Sequence, residues 1–230
     1  MNSAVVFTYP VRPWSHFKID STFLDPDYHR ELGNWHTGLD INLKSGGDTD
    51  LGYPVQACVP GKVLEAYQHP SWGGLVLLEA EPWIVERVRE AFPEKNVETL
   101  EFQYGHLHQI TVQAGDTVDA GDHLGSIGKG GRGQYLAHLH WEARIRHFEA
   151  RVFPGGSEAA RLYIQGAYVD PLELMNRFLW DDYGRYASHR LQYVHSRYSE
   201  LNGQVLEGDR EIAIRRIERK LYVRDMDALR

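Results

Sequence analysis

The sequence predicts a mainly β fold: an antiparallel sheet or sandwich-like core, interrupted by a short helical insertion and followed by a helical C-terminal extension. Three observations lead there. Short apolar or alternating runs separated by Gly, Pro and Asp fill residues 36–79 and return from 97 to 146. One segment between them, 83–92, has helical spacing. After Asp170-Pro171 the period changes from two to between three and four residues.

Taken in order, WHTGLDINL, YPVQACV, GKVLEAY and GLVLLEA read as strands. WIVERVREAF then places Ile84, Val88 and Phe92 on one helical stripe, and Pro93 closes it, so a helical insert is expected near 82–95. VETLEFQYGHL, ITVQ, HLGSIG and HLHWEARIR resume the strands. Ala-Gly-Asp occurs at 114–116 and again at 120–122, which predicts two tight turns around a short strand. Beyond Pro171, Leu172, Met175 and Leu179 share one helical stripe. Leu191, Val194, Tyr198, Leu201 and Val205 form a second, and Ile214, Ile217 and Leu221 a third. The expected organisation is an N-terminal segment over 1–34, a β domain over 35–175 and a helical extension over 176–230, whose apolar stripes offer a face for oligomerisation.

Composition removes several classes of function. A net charge of −7 without a basic block argues against nucleic acid as a partner. No apolar run is long enough to span a bilayer. The N-terminal residues lack the basic start and long apolar core of a secretory signal. A single cysteine, Cys58, excludes an internal disulfide and a cysteine-built zinc knuckle. A metal site must therefore use histidines and carboxylates, and there are 12 histidines to choose from.

Their placement is informative. In His36-Thr37-Gly38-Leu39-Asp40, read as a strand, His36, Gly38 and Asp40 share one face, and the glycine is expected to leave room for an ion. His138-Leu139-His140 sets two imidazoles on one face with Leu139, Trp141 and Ala143 on the other. A catalytic zinc takes three protein ligands and leaves one position open, which two histidines and one aspartate fill. His106-Leu107-His108 has the same form, so spacing alone leaves two sites open. His16, His29, His69, His123, His147, His189 and His195 read as ordinary surface or hydrogen-bonded residues, as do His108 and Cys58. Glu142 shares a strand face with His140, where it either orients that imidazole or lies in solvent.

The ordered set WHTGLDINL, YPVQACVPGKV, QYGHL, VQAGDTVDAGDHLGSIG, HLHWEAR and YVDPLELM, over residues 35–175, resembles the lysostaphin-type zinc metalloendopeptidases, which cleave peptide cross-links of bacterial peptidoglycan. The resemblance implies zinc as cofactor, with His36, Asp40 and His140 as its ligands. It implies His106 and His138 as the catalytic histidines, and so favours 138–140 over 106–108 for the metal. It also implies action at the bacterial cell wall on a peptidoglycan peptide, reached by a phage-type lysin route or another export route. Two alternatives stand beside it: a non-catalytic relative that binds wall or a partner enzyme, and a zinc amidase or esterase with another substrate. Before the second HLH the family commonly carries Ser-Thr-Gly-Pro, where this chain has Gly-Gln-Tyr-Leu-Ala over 133–137. The glycine-rich run 128–133 lacks the Gly-Lys-Ser/Thr of a phosphate loop and is expected to wall a substrate groove that an extended peptide enters.

Overall fold

A computed structural model describes residues 7–133, 135–150 and 152–178. It contains ten strands, all paired antiparallel: β1 (Phe17–Ser21), β2 (Leu39–Leu43), β3 (Pro54–Gln56), β4 (Gly61–His69), β5 (Gly73–Ala80), β6 (Glu101–Ile110), β7 (Thr117–Val118), β8 (His123–Ile127), β9 (Leu139–Arg144) and β10 (Tyr168–Val169). Among the described residues, α1 (Pro26–Leu32), α2 (Pro82–Ala91) and α3 (Glu158–Ala167) accompany them, and residues 171–178 are α-helical as well. The main sheet runs β1-β2-β9-β6-β5-β4-β7, with β10 on β9 and the β3–β8 pair attached through β6. The mainly β reading with a helical insert holds.

Side-chain alternation divides the sheet into two unlike faces. Leu139, Trp141 and Ala143 of β9 join Leu39, Ile41, Phe102, Tyr104, Val76 and Leu78 in the main core. Helix α2 is the expected insert, and it buries Ile84, Val85 and Val88 against that core. The opposite face of β9 carries His140, Glu142 and Arg144, all buried too. A strand polar on one face yet covered on both must satisfy its polar groups internally, and this one does so in the site.

Both Ala-Gly-Asp turns flank β7 as expected. Gly115 and Gly121 adopt φ of 99° and 94°, and the Asp116 and Asp122 carboxylates accept from the backbone N–H of Gln113 and Asp119. The run ITVQ does not form a strand of its own; β6 ends at Ile110. Strands β1 and β10 and helices α1 and α3 were not legible as periodic runs. Residues 171–178 are helical, but they bury Leu174, Met175 and Phe178, with Leu172 only partly covered. Phe178 stacks on Phe7 at 4.8 Å. Leu179 and the stripes from Leu191 to Val205 and Ile214 to Leu221 lie outside the described residues, as do His189 and His195. Among the described residues no helix is long and apolar enough to cross a membrane.

Candidate active site

Register brings three chain segments to one point. Asp40 on β2 pairs with His140 on β9, and His140 pairs on its other side with Gly105 of β6. His36 precedes β2, which begins only at Leu39. Gly38 has a different job from the one its place in the motif suggests. A Cβ there would sit 2.2 Å from the carbonyl oxygen of Trp141, so glycine permits the chain to approach β9 rather than making room for an ion.

The result is a triangle of ligand-type atoms. His36 Nε2 lies 3.2 Å from Asp40 Oδ1 and 3.1 Å from His140 Nδ1, and His140 Nδ1 lies 3.0 Å from Asp40 Oδ1. These three residues form a group able to hold a metal ion, the one such group among the described residues. His36 Nδ1 faces the Thr22 carbonyl at 2.8 Å, and a carbonyl can only accept, so the proton sits on Nδ1 and Nε2 is bare. His140 Nε2 donates to Glu142 at 2.9 Å, which leaves its Nδ1 bare in the neutral ring. Two lone pairs and a carboxylate oxygen thus face one another, an arrangement that calls for a cation between them. Tetrahedral zinc with ligands at about 2.0–2.1 Å separates them by roughly 3.3–3.4 Å, close to the edges seen. The donor set fits the metal.

The charge state of each group follows. Burial raises the Asp40 carboxyl, but His36 and His140 outweigh it and hold the group well below its usual range. Burial lowers His140, and the bonds to Asp40 and Glu142 overcome that and raise it to about 9, the proton standing where a metal would. Glu142 lies in the protein, not in solvent. Burial raises it, yet Arg144 and His140 pull it down to about 2. Its carboxylate also accepts from Thr37 Oγ1 at 2.5 Å and from Arg144 at 2.8 and 3.0 Å, and Arg144 reaches Gln103 at 2.6 Å. This buried train fixes the His140 ring.

The other two histidines flank the triangle. His138 Nδ1 donates to the Leu136 carbonyl at 2.8 Å, and its Nε2 stands 3.6 Å from Asp40 Oδ1. His106 lies where β6 changes partner, from β9 up to Gly105 to β8 from Leu107 onward. It adopts φ of 63°, in the left-handed region, at the point where the ladder breaks. Its Nδ1 donates to the Trp72 carbonyl at 2.9 Å, and its ring lies 4.7 Å from His138 and 5.8 Å from His140. Burial first, then His138 and His140, push it down to about 3. His108, two residues on, is exposed and lines a separate cleft with Gln68 and Gly130.

Residues 94–154, which contain His106, His138 and His140, match the model of peptidase family M23. The matched stretch is 61 of the chain's 230 residues. No curated protein matches its sequence. Among solved structures, lysostaphin from Staphylococcus simulans is similar with a TM-score of 0.50 at 21% identity, over 76% of this chain and 56% of lysostaphin. A zinc-containing peptidase from Vibrio cholerae is 27% identical over 61% of this chain and 37% of its own, with a TM-score of 0.45. A complex of SpoIIIAH and SpoIIQ is similar at 19% identity and a TM-score of 0.49, over 74% of this chain and 99% of the matched chain.

Several groups in this site lay beyond motif reading. Trp72 stacks on His106 with ring centroids 5.3 Å apart and meets His140 edge-on. Tyr28 stacks on His36 at 4.5 Å. Tyr135 leans on His106 at 4.9 Å. All three come from loops or the short helix α1, where no spacing marks them. The glycines at 130, 131 and 133 line the separate cleft beside His108, and Gly130 packs on Tyr135, where an added Cβ would meet the ring at 2.7 Å.

Proposed function

We propose that this protein is a zinc-dependent endopeptidase of the M23 type that hydrolyses peptide cross-links of bacterial peptidoglycan at the cell wall. His36, Asp40 and His140 hold the zinc, and His106 and His138 serve the reacting groups. The observation that carries this reading is the triangle of bare acceptor atoms, which needs a cation and has the edges of a zinc site.

Bound there, zinc supplies Lewis-acid activation of a water and of the scissile carbonyl. Asp40 lowers the positive charge of the site relative to three neutral histidines, so an added base is useful. His138 suits that role. Its Nδ1 proton is committed to Leu136, its Nε2 is free to accept, and the nearby Asp40 carboxylate stabilises the imidazolium that results. The proton taken from water then passes to the leaving amine as the C–N bond breaks. His106, kept neutral by burial and fixed by Trp72, orients the reacting groups through its own Nε2.

Digestion of purified peptidoglycan with and without chelator tests the reading. Clearing that stops with chelator, returns with zinc, and releases new amino and carboxyl termini by mass spectrometry is expected. Clearing indifferent to chelator, or products without new peptide termini, contradicts it.

A further inference from the structure

Beside Asp40 and His138 lies an open cleft of about 500 Å³ whose walls differ in character. One wall is Tyr135 and Leu136, 44% and 64% exposed. It belongs to the segment in which this chain departs from the family's Ser-Thr-Gly-Pro run. The facing wall is the edge strand β1, where Lys18 Nζ and Asp20 Oδ1 form an ion pair at 2.7 Å.

Register explains how that pair reaches the site. Ile19 pairs with Ile41 and Ser21 with Asp40, which leaves Asp20 as the extra residue of a bulge. Bulges re-aim side chains, and this one sets Asp20 beside Lys18 on the cleft that Asp40 and Asn42 also line. Strand β1 is one strand spacing, about 4.8 Å, from β2. A side chain next to a scissile bond held at Asp40 and His138 therefore reaches it.

From this geometry we infer that Lys18 and Asp20 form a paired-charge subsite for a substrate residue whose side chain ends in both an ammonium and a carboxylate, its aliphatic stem lying on Tyr135 and Leu136. The inference rests on the endopeptidase reading and narrows its substrate. An exposed ion pair contributes little to stability, so it exchanges partners at small cost. A side chain with both charges satisfies Lys18 and Asp20 together. A side chain with one charge satisfies one of them and leaves the other without its partner. A glycine offers nothing to either.

The test uses synthetic peptides identical except for the residue flanking the scissile bond, placed on either side of it. That residue is 2,6-diaminopimelate (both charges), lysine (ammonium only), 2-aminopimelate (carboxylate only) or glycine. The zinc-loaded full chain is expected to favour diaminopimelate by roughly tenfold in kcat/KM, and Asp20→Asn and Lys18→Gln each to lower that preference roughly three- to fivefold. Calorimetric binding of the same peptides to zinc-loaded His138→Ala reads the subsite apart from cleavage. Cleavage of all four peptides without preference, or a preference unmoved by both variants, overturns the subsite and leaves the endopeptidase standing. No cleavage, with the same order of preference in binding, overturns the endopeptidase and leaves the subsite. Neither cleavage nor binding overturns both.

Discussion

His36 Nε2 and His140 Nδ1 lie 3.1 Å apart, each on a ring whose proton is held at the opposite nitrogen, by Thr22 on one side and Glu142 on the other. Two imidazoles set lone pair to lone pair repel unless a cation joins them. The backbone of β1's end and the buried carboxylate of β9 thus prepare the site before any ion arrives.

Glu142 is expected to matter for metal affinity although it is not a ligand. Glu142→Gln keeps the shape and removes the charge that holds His140 and Arg144. Loss of such a supporting partner typically weakens metal binding by about 10–100-fold. It also leaves Arg144 buried without its counter-charge, which costs about 3–5 kcal/mol where such pairs are broken. Zinc titration and thermal melting of the variant check both effects; wild-type values for both would show the train to be idle.

The zinc-free and zinc-loaded forms should diverge as pH rises. His140 is raised to about 9 in the metal-free fold against an ordinary value near 6.5. A raised pKa gives stability that is complete below the unfolded value and lost as pH climbs through the folded one. Between about pH 6.5 and 9 the zinc-free protein should therefore lose stability, while zinc, which replaces that proton, binds more tightly. The gap in Tm between the two forms should widen over this window. A gap that narrows with pH would contradict the shared position of proton and metal.

His106 acts in the opposite sense. Its value of about 3 lies below the ordinary one, so its contribution is present above about pH 6.5 and is lost as pH falls toward 3. Replacing it should flatten the acid side of the stability curve. His106→Gly should also melt above His106→Ala, since glycine accepts a φ of 63° and alanine does not. Equal melting of the two would place the strain elsewhere.

Gly38→Ala tests the approach of the first motif to β9. The added Cβ meets backbone rather than a movable side chain, so the start of β2 must shift away from Trp141 and carry His36 and Asp40 with it. Sharply reduced zinc content is expected, beyond any loss of thermal stability. A variant with full zinc content would return Gly38 to a lesser role.

The strands around the site were legible because they alternate apolar and polar residues, as β9 does with Leu139, Trp141 and Ala143 on its core face and His140, Glu142 and Arg144 on the other. The HxxxD and HxH spacings marked the residues that meet, since strand periodicity puts such pairs on one face. Spacing alone left His106 and His108 on equal terms, because the break at His106 depends on which strands β6 pairs with, a tertiary matter. The same holds for Glu142. Alternation gave its face, yet the burial of that face depends on Thr37 and Gln103 from distant segments, with Arg144 beside it on the same strand. Strand β1 is short and half exposed, and α1 rests on an Asp25 cap and Pro26 with no buried stripe, so neither carries a periodic signal.

The most direct measurement of the central assignment is zinc content and peptide-cleavage rate, taken together on single-site variants. His36→Ala, Asp40→Ala and His140→Ala are expected to lose both zinc and activity. His106→Ala and His138→Ala should keep zinc while their rates fall, by about 10²–10⁴-fold where a proton-transfer group is removed. A His138→Ala protein without zinc beside a His140→Ala protein that retains it would contradict the assignment, and so would a His108→Ala protein as depleted in zinc as His140→Ala.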